Sequence, residues 1–325
     1  MINPSISVII CCYNSSKLIC KTLDHIGKQV LKREDSFEVI IVDNASTDET
    51  AVTANKFWND NYYDKALLTI INENKQGIAY ARKSGVLASK SDILLFCDDD
   101  NWLDKNYISI ALKYMKSNPK IGVLGGHNDG YLEIEEPVWW QSKETGYAVG
   151  KQSEDNGDIT QRGYVWGAGM VFRKVILEHL YLNGFKSLLV GREGKLLGAG
   201  DDSELCKWAI IQGYYLWYSK ELKLTHFITK ERLTKKYLEK LYNGHVNACE
   251  KLALYDFIIG NLKNVNSKGI FQSLRNNIKF FVKFYLGYKI DANKLIFIQI
   301  ELGHKLKIHQ EVYQILKTYA KLKSF

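Results

Sequence analysis

Short apolar runs and polar loops alternate along the first hundred residues in a repeating order. Ile6 to Cys12 (ISVIICC) is a β-branched run that reads as a buried strand. Tyr13-Asn14-Ser15-Ser16 then supplies turn and cap chemistry, and Leu18, Thr22, Ile26 and Val30 fall at helical spacing. Phe37 to Val42 is a second strand, ending at Asp43-Asn44-Ala45-Ser46-Thr47-Asp48, which again leads into a helix. Leu67 to Ile71 is a third, followed by the loop Asn72 to Gly77 and a helix to Ala88, and Ile93 to Cys97 is a fourth. Strand, polar loop and helix in repetition predict an α/β fold, a parallel Rossmann-type sheet wound with crossover helices. Between Ile121 and Met170 the pattern loosens into loops with Gly125-Gly126, Pro137 and Trp139-Trp140, a composition suited to a substrate pocket beside a sheet. Tyr164 to Phe172 reads as a strand, Ser203 to about Gln212 as a helix, and the chain from about Tyr237 onward as almost entirely helical.

Composition narrows the class. Hydrophobic residues at 46% and aromatics at 12% give a chain with a proper core and exclude a disordered one. The six cysteines form no CxxC pair and read as small buried hydrophobes in a reducing compartment. The first residues lack a basic segment before an apolar one, and no stretch approaches eighteen apolar residues, so a cytoplasmic chain without signal peptide or membrane span is expected. No nucleic-acid partner is expected. Charge is uneven: from Glu221 onward there are 19 Lys+Arg against 8 Asp+Glu, leaving 25 against 28 before it. Within that basic stretch Ile270, Leu274, Ile278, Phe281, Val282 and Tyr285 fall at helical spacing beside Arg275, Lys279 and Lys283. Such a helix either lies on an anionic membrane at its inner face or packs on the rest of the chain with its lysines in water.

Three consecutive aspartates, Asp98-Asp99-Asp100, follow the fourth strand, and open α/β sheets bind ligands at the carboxyl ends of their strands. Adjacent carboxylates repel one another unless a positive partner sits among them. A hard divalent cation, Mg²⁺ or Mn²⁺, bridging them to a phosphate is the simplest such partner; a solvated acidic turn capping a helix from near Trp102 is the alternative. Asp43 ends a buried strand and is either a hydrogen-bond acceptor for a ligand or a helix cap. Gly77 permits close backbone approach, with Arg82 following on the same helix. Trp166 with Gly167 and Gly169 offers a flat apolar face and open backbone, or a core tryptophan beside a tight strand. Asp201-Asp202 forms a second acidic site at the start of a helix, and His226 stands near a strand end.

Taken in order, the segments 7–23 (SVIICCYNSSKLICKTL), 38–50 (EVIIVDNASTDET), 74–86 (NKQGIAYARKSGV), 94–103 (LLFCDDDNWL), 166–172 (WGAGMVF), 200–205 (GDDSEL) and 224–227 (LTHF) resemble the inverting family-2 glycosyltransferases, which have the nucleotide-sugar-binding GT-A fold. The resemblance covers about the first 230 residues. It implies a transferase domain over 1–230, with a donor half over about 1–103 and an acceptor half over about 104–230, followed by a basic helical extension over 231–325. Tyr13 would stack near the base and Asp43 would hydrogen-bond base or ribose. Gly77 and Arg82 would face the donor and Asp99 the ribose. Asp100, with Asp98, would hold Mn²⁺ or Mg²⁺ under the diphosphate, with His226 a further contact. Trp166, Gly167, Asp201 and Glu204 would meet the acceptor, and Asp202 would take the acceptor hydroxyl's proton, staying ionised near neutral pH at its helix amino terminus.

The implied reaction is metal-dependent, inverting transfer of one hexosyl or N-acetylhexosaminyl unit from a nucleotide-sugar, a UDP-sugar, to a carbohydrate or lipid-linked glycan in bacterial-type surface polysaccharide synthesis. The chain departs from the family in having Asp201 where glutamate is common, and Cys11-Cys12 where hydroxyl or proline residues often stand. Processive members carry Gln-x-x-Arg-Trp; here Gln272 and Arg275 are followed by Asn276, so a non-processive enzyme is expected. A nucleotidyltransferase that makes nucleotide-sugars is one alternative, although Cys11 to Ser16 lacks the glycine-rich basic loop it needs. A non-catalytic carbohydrate-binding protein, which would not need Asp202, is another. A dinucleotide-dependent oxidoreductase would need GxGxxG after the first strand, and none is present.

Overall fold

The computed structural model describes residues 3–189, 191–193, 196–267 and 310–323. Four strands, β1 (Ile6–Cys12), β2 (Phe37–Asp43), β3 (Leu68–Asn72) and β4 (Ile93–Asp98), pair in parallel in the order β3-β2-β1-β4. Alternate side chains of β1 explain its apolar character, which only Ser7, donating its hydroxyl to Glu38, interrupts. Ile6, Val8 and Ile10 share a core with Ile19 and Leu23 of α1 (Ile19–Gly27) and Ala54 and Trp58 of α2 (Thr50–Tyr62). Ile9 faces the other way, onto Ala81 and Val86 of α3 (Ile78–Ala88). A strand covered on both faces has no polar side to show, and each fully buried Ile or Val contributes about 1.5–3 kcal/mol. The helix α3 lies unusually close, since a Cβ at Gly85 would stand 2.5 Å from Cγ2 of Ile9.

Beyond β4 the sheet ceases to be parallel throughout. After Asp99 and Asp100 the chain forms a short strand, β5 (Asn101–Leu103), where a helix near Trp102 was the alternative; the helix α4 (Tyr107–Ser117) begins later. The region that reads as loops from Ile121 holds a long strand, β6 (Ile121–Leu132). Its Gly125-Gly126 pair disguises it. A Cβ at Gly126 would lie 2.0 Å from the carbonyl oxygen of Leu222, so only glycine fits beside the irregular pairing there. The strands β7 (Gly157–Asp158) and β8 (Val171–Arg173) follow, and the expected strand from Tyr164 shrinks to β8 because Gly169, at φ +73°, turns the chain before Val171. The helix α5 (Lys174–Leu182), the two-residue strands β9 (Arg192–Glu193) and β10 (Leu196–Leu197), the helix α6 (Asp201–Ile211) and the long strand β11 (Tyr215–Ile228) come next. The main sheet thus runs β3-β2-β1-β4-β8-β6-β11-β5, with β7 on β11. Within it, β8 is antiparallel to β4 and β6, β11 is parallel to β6, and β5 is antiparallel to β11.

A 3-10 turn at Lys230–Leu233 leads into α7 (Lys235–Ser267), and α8 (Gln310–Lys323) completes the described elements. Tyr255 and Ile258 of α7 and Ile315 of α8 share one buried cluster with Leu205 and Trp208 of α6. The basic amphipathic stretch from Ile270 to Tyr285, together with Gln272, Arg275 and Asn276, lies outside the described residues. Among the described residues no helix is long and apolar enough to cross a membrane.

Candidate active site

Parallel pairing sets Cys11 beside Asp98 and Cys12 beside Asp43, so β1, β2 and β4 deliver their polar ends to one edge of the sheet. The loop after β1 is stitched to the loop after β2. Asn14 Oδ1 accepts from the Thr47 amide at 2.7 Å and Thr50 Oγ1 from the Ser15 amide at 2.8 Å, leaving the Tyr13 ring 43% exposed at the rim. Buried Asn44 shapes the third loop: its amide donates to the carbonyls of Glu73 and Lys75, and its Oδ1 accepts from the Gly77 amide at 2.7 Å. Gly77 itself has φ +133°, a conformation that disfavours any side chain.

A cleft of about 460 Å³ opens above these strand ends. Tyr13, Gly77, Arg82, Asp98, Asp99, Asp100, Trp166, Gly167, Asp201, Asp202 and His226 all line it, so both acidic sites face one space. Asp43 and Glu204 do not. The carboxylate of Asp43 accepts from the Ser46 amide at 3.2 Å, the hydrogen bond of a turn. Glu204 is fully buried and accepts from the Ser187 hydroxyl, the Leu188 amide at 2.9 Å and the Tyr255 hydroxyl. The reason lies in helix geometry: residues two apart on α6 point to different sides, so Glu204 cannot share the face of Asp202.

Within the acidic turn, the Ser15 hydroxyl donates to the Asp99 carboxylate and the Thr22 hydroxyl to the Asp99 carbonyl at 2.6 Å. Asp100 Oδ1 accepts from the side-chain Nδ2 of Asn101 at 3.1 Å and lies 3.4 Å from Nε2 of His226, while its Oδ2 accepts from Nη1 of Arg232 at 2.6 Å. Across the cleft, Asp201 pairs with Arg82. Asp202 Oδ2 accepts from the Gly167 amide at 2.8 Å and its Oδ1 from the Ser203 amide at 2.7 Å. Trp166 is only 8% exposed, with its backbone amide bonded to Gln152, so it lines the cleft from within the core.

Burial, reinforced by the negative charge of Asp201 and opposed by Arg82, raises the pKa of Asp202 above the ordinary aspartate value. The helix dipole alone suggests the opposite direction; desolvation outweighs it here. The pKa of Arg82 is raised as well: burial works against its charge, but Asp201, Asp98 and Asp202 hold it firmly protonated. The Cys11 thiol, pushed up to about 12 by burial, is not a nucleophile at neutral pH.

Several lining residues escape sequence reasoning. Thr145 to Ala148, with Tyr237, Leu241 and His245 of α7, form a wall, and Arg232 comes from the 3-10 turn before α7. Arg232 stands six residues after His226 in a segment crowded with basic residues, where nothing in the pattern distinguishes a buried arginine from a solvated one.

The donors Asp98, Asp100 and His226 have the oxygen and imidazole chemistry that suits Mg²⁺ or Mn²⁺, and Nδ1 of His226 is buried without a hydrogen-bond partner among the described residues. With Arg232 paired to Asp100, their arrangement does not fit one. Arg232 occupies Asp100, and among the described residues no group of three or more His, Cys, Asp or Glu side chains is placed to hold a metal ion.

Residues 7–181, more than half of the chain, match the family model described as glycosyl transferase family 2. A protein named uncharacterized glycosyltransferase from Haemophilus influenzae is 29% identical over 139 residues, covering 41% of this chain and 44% of its own length. The poly(ribitol-phosphate) beta-glucosyltransferase of Bacillus spizizenii is 28% identical over 120 residues, 37% of this chain and 18% of its own. The chain therefore spans less than half the length of these curated relatives. Among solved structures, S. aureus TarS 1-349 in complex with UDP-GlcNAc is similar with a TM-score of 0.54 at 18% identity, covering 98% of this chain and 89% of that one. A mannosyltransferase from Pyrobaculum calidifontis, in complex with GDP-Man and Mn²⁺, is similar with a TM-score of 0.52 at 17% identity, covering 100% and 87%. At these identities the likeness concerns the fold, a mixed α/β sheet of the GT-A kind.

Proposed function

This chain belongs to glycosyl transferase family 2, and from that premise we propose that it is a glycosyltransferase that moves one sugar from a UDP-sugar to a carbohydrate or lipid-linked glycan, inverting the anomeric centre. One observation carries the reading: Asp202 and the Asp98 to Asp100 turn line the same cleft. Inversion needs the acceptor hydroxyl and the leaving diphosphate on opposite faces of the sugar, hence two chemically distinct sites across one space. Asp202 takes the hydroxyl proton as the new carbon–oxygen bond forms. The bond from the anomeric carbon to the phosphate oxygen breaks, and the nucleoside diphosphate leaves with the electron pair. The amides of Gly167 and Ser203 fix the Asp202 carboxylate for this task.

The UDP-GlcNAc held by TarS supports a UDP-sugar donor, and the poly(ribitol-phosphate) in the name of the B. spizizenii relative supports a polymeric acceptor. Tyr13 would meet the nucleoside, Gly77 and Arg82 the donor, and Trp166 with Gly167 the acceptor, while Asp43, engaged in its turn outside the cleft, takes no part. The Mn²⁺ in the mannosyltransferase supports a divalent cation, for which Asp98, Asp100 and His226 are the available donors once Asp100 parts from Arg232. Residues 1–230 form the transferase domain in this reading, and the basic segment after it brings the enzyme to an anionic membrane. A thermal-shift screen of nucleotide-sugars with and without Mn²⁺ tests the proposal. A rise in Tm with UDP-sugars is expected, and no response to any nucleotide-sugar would overturn it.

A further inference from the structure

The acidic turn after β4 already carries a positive counter-charge. Nη1 of Arg232 donates to Oδ2 of Asp100 at 2.6 Å and stands 3.4 Å from Nε2 of His226, which in turn lies 3.4 Å from Oδ1 of Asp100. The side chains of Arg232 and Asp100 are 12% and 9% exposed, so water screens their attraction little. An arginine in this position neutralises the carboxylate that a divalent cation would use, and it does so with the same charge-assisted geometry that favours phosphate. The arrangement is also incomplete. Nε of Arg232 and Nδ1 of His226 are both buried without a hydrogen-bond partner among the described residues, so each has bonding capacity left for a group that enters the cleft.

We propose that Arg232 and a divalent cation are alternative counter-charges for Asp100, so that Arg232 opposes cation binding in the nucleotide-free protein and yields Asp100 when an incoming diphosphate offers the guanidinium a second anionic partner. The diphosphate half of this statement rests on the function proposed above; the competition at Asp100 does not. Arg232 is also tied to the cleft wall. Its carbonyl accepts from the Tyr147 hydroxyl at 2.9 Å, and its guanidinium lies 5.8 Å from the Tyr237 ring. The order of binding becomes nucleotide first or together with the cation, never cation alone at high affinity.

The test is a titration of Mn²⁺ alone into the nucleotide-free full chain, read by the electron paramagnetic resonance of unbound Mn²⁺, for the wild type, Arg232→Gln, Arg232→Lys and the double variant Arg232→Gln/Asp100→Asn. An arginine beside a carboxylate lowers that group's proton affinity by one to three pKa units, and the same rivalry against a metal predicts that Arg232→Gln binds Mn²⁺ about tenfold tighter or more. Arg232→Lys, with a single point charge in place of the fork, should gain in the same direction by less. The gain should vanish in the double variant. An Arg232→Gln protein that binds Mn²⁺ no better than wild type, or whose gain survives the loss of Asp100, overturns the proposal; should Arg232→Gln fail to fold, absence of any gain in Arg232→Lys does so. Added UDP should tighten Mn²⁺ binding by wild type more than by Arg232→Gln. If UDP alters neither protein while the Arg232→Gln gain persists, the nucleotide reading falls and the competition at Asp100 stands.

Discussion

At Asp202 two backbone amides point one at each carboxylate oxygen, and burial beside Asp201 raises the pKa at the same time. A base with a raised pKa is a better proton acceptor but is lost earlier on acidification. The turnover rate should therefore fall as pH drops through a value above about 4, the ordinary aspartate pKa, because the protonated acid cannot accept a proton. A kcat profile flat down to that ordinary value would contradict the assignment. Asp202→Asn should lower kcat by about 10²- to 10⁴-fold. UDP affinity measured by calorimetry should stay close to that of wild type, since the nucleotide side of the cleft is untouched. Residue by residue, the acids were legible because consecutive aspartates at a strand end and at a helix start are costly unless used. Arg232 and Asn44 were not, because their roles follow from which loops meet, and no local pattern encodes that. Glu204 was expected at the acceptor from the resemblance, and helical geometry turns it away.

The elements divide the work between a rigid floor and an assembled wall. The first four strands were legible from their apolar runs, since a strand covered on both faces leaves no ambiguity of phase. In contrast, β6 ends in an exposed stretch, β11 carries exposed Lys220, Glu221 and Lys223 in its middle, the two share a pairing irregularity, and β8 is only three residues long, so their periodicity is faint. Glu204 shows how the wall is tied together. From α6 it binds the amides of Leu188 and Leu189 and the hydroxyls of Ser187 and Tyr255, joining the loop before β9 to α7. Glu204→Ala would leave those buried donors without an acceptor and should cost about 3 kcal/mol in urea unfolding. A loss under about 0.5 kcal/mol, within the range of ordinary surface substitutions, would show that the carboxylate is not an anchor. Nucleotide affinity per folded molecule should hardly change.

Over the whole molecule, charge and architecture separate, with a mildly acidic first two thirds and a basic remainder from Glu221. The proposed membrane contact belongs to this scale, because it depends on summed charge and not on any one lysine. Deleting residues from Gly269 onward should release the protein from anionic vesicles in a flotation assay while leaving it neutral-vesicle silent, and undiminished flotation would remove the tail from the proposal. The described part of that tail has a mechanical property of its own. The helix α7 runs 33 residues without a break, about 50 Å at 1.5 Å per residue. Tyr237, Leu241 and His245 near its beginning help line the cleft, and Tyr255 is fastened further along to α6. Lys251 on the same helix donates to the Leu188 carbonyl and Asp256 pairs with Lys207 of α6, so α7 is a strut that ties the mouth of the cleft to the core over several turns.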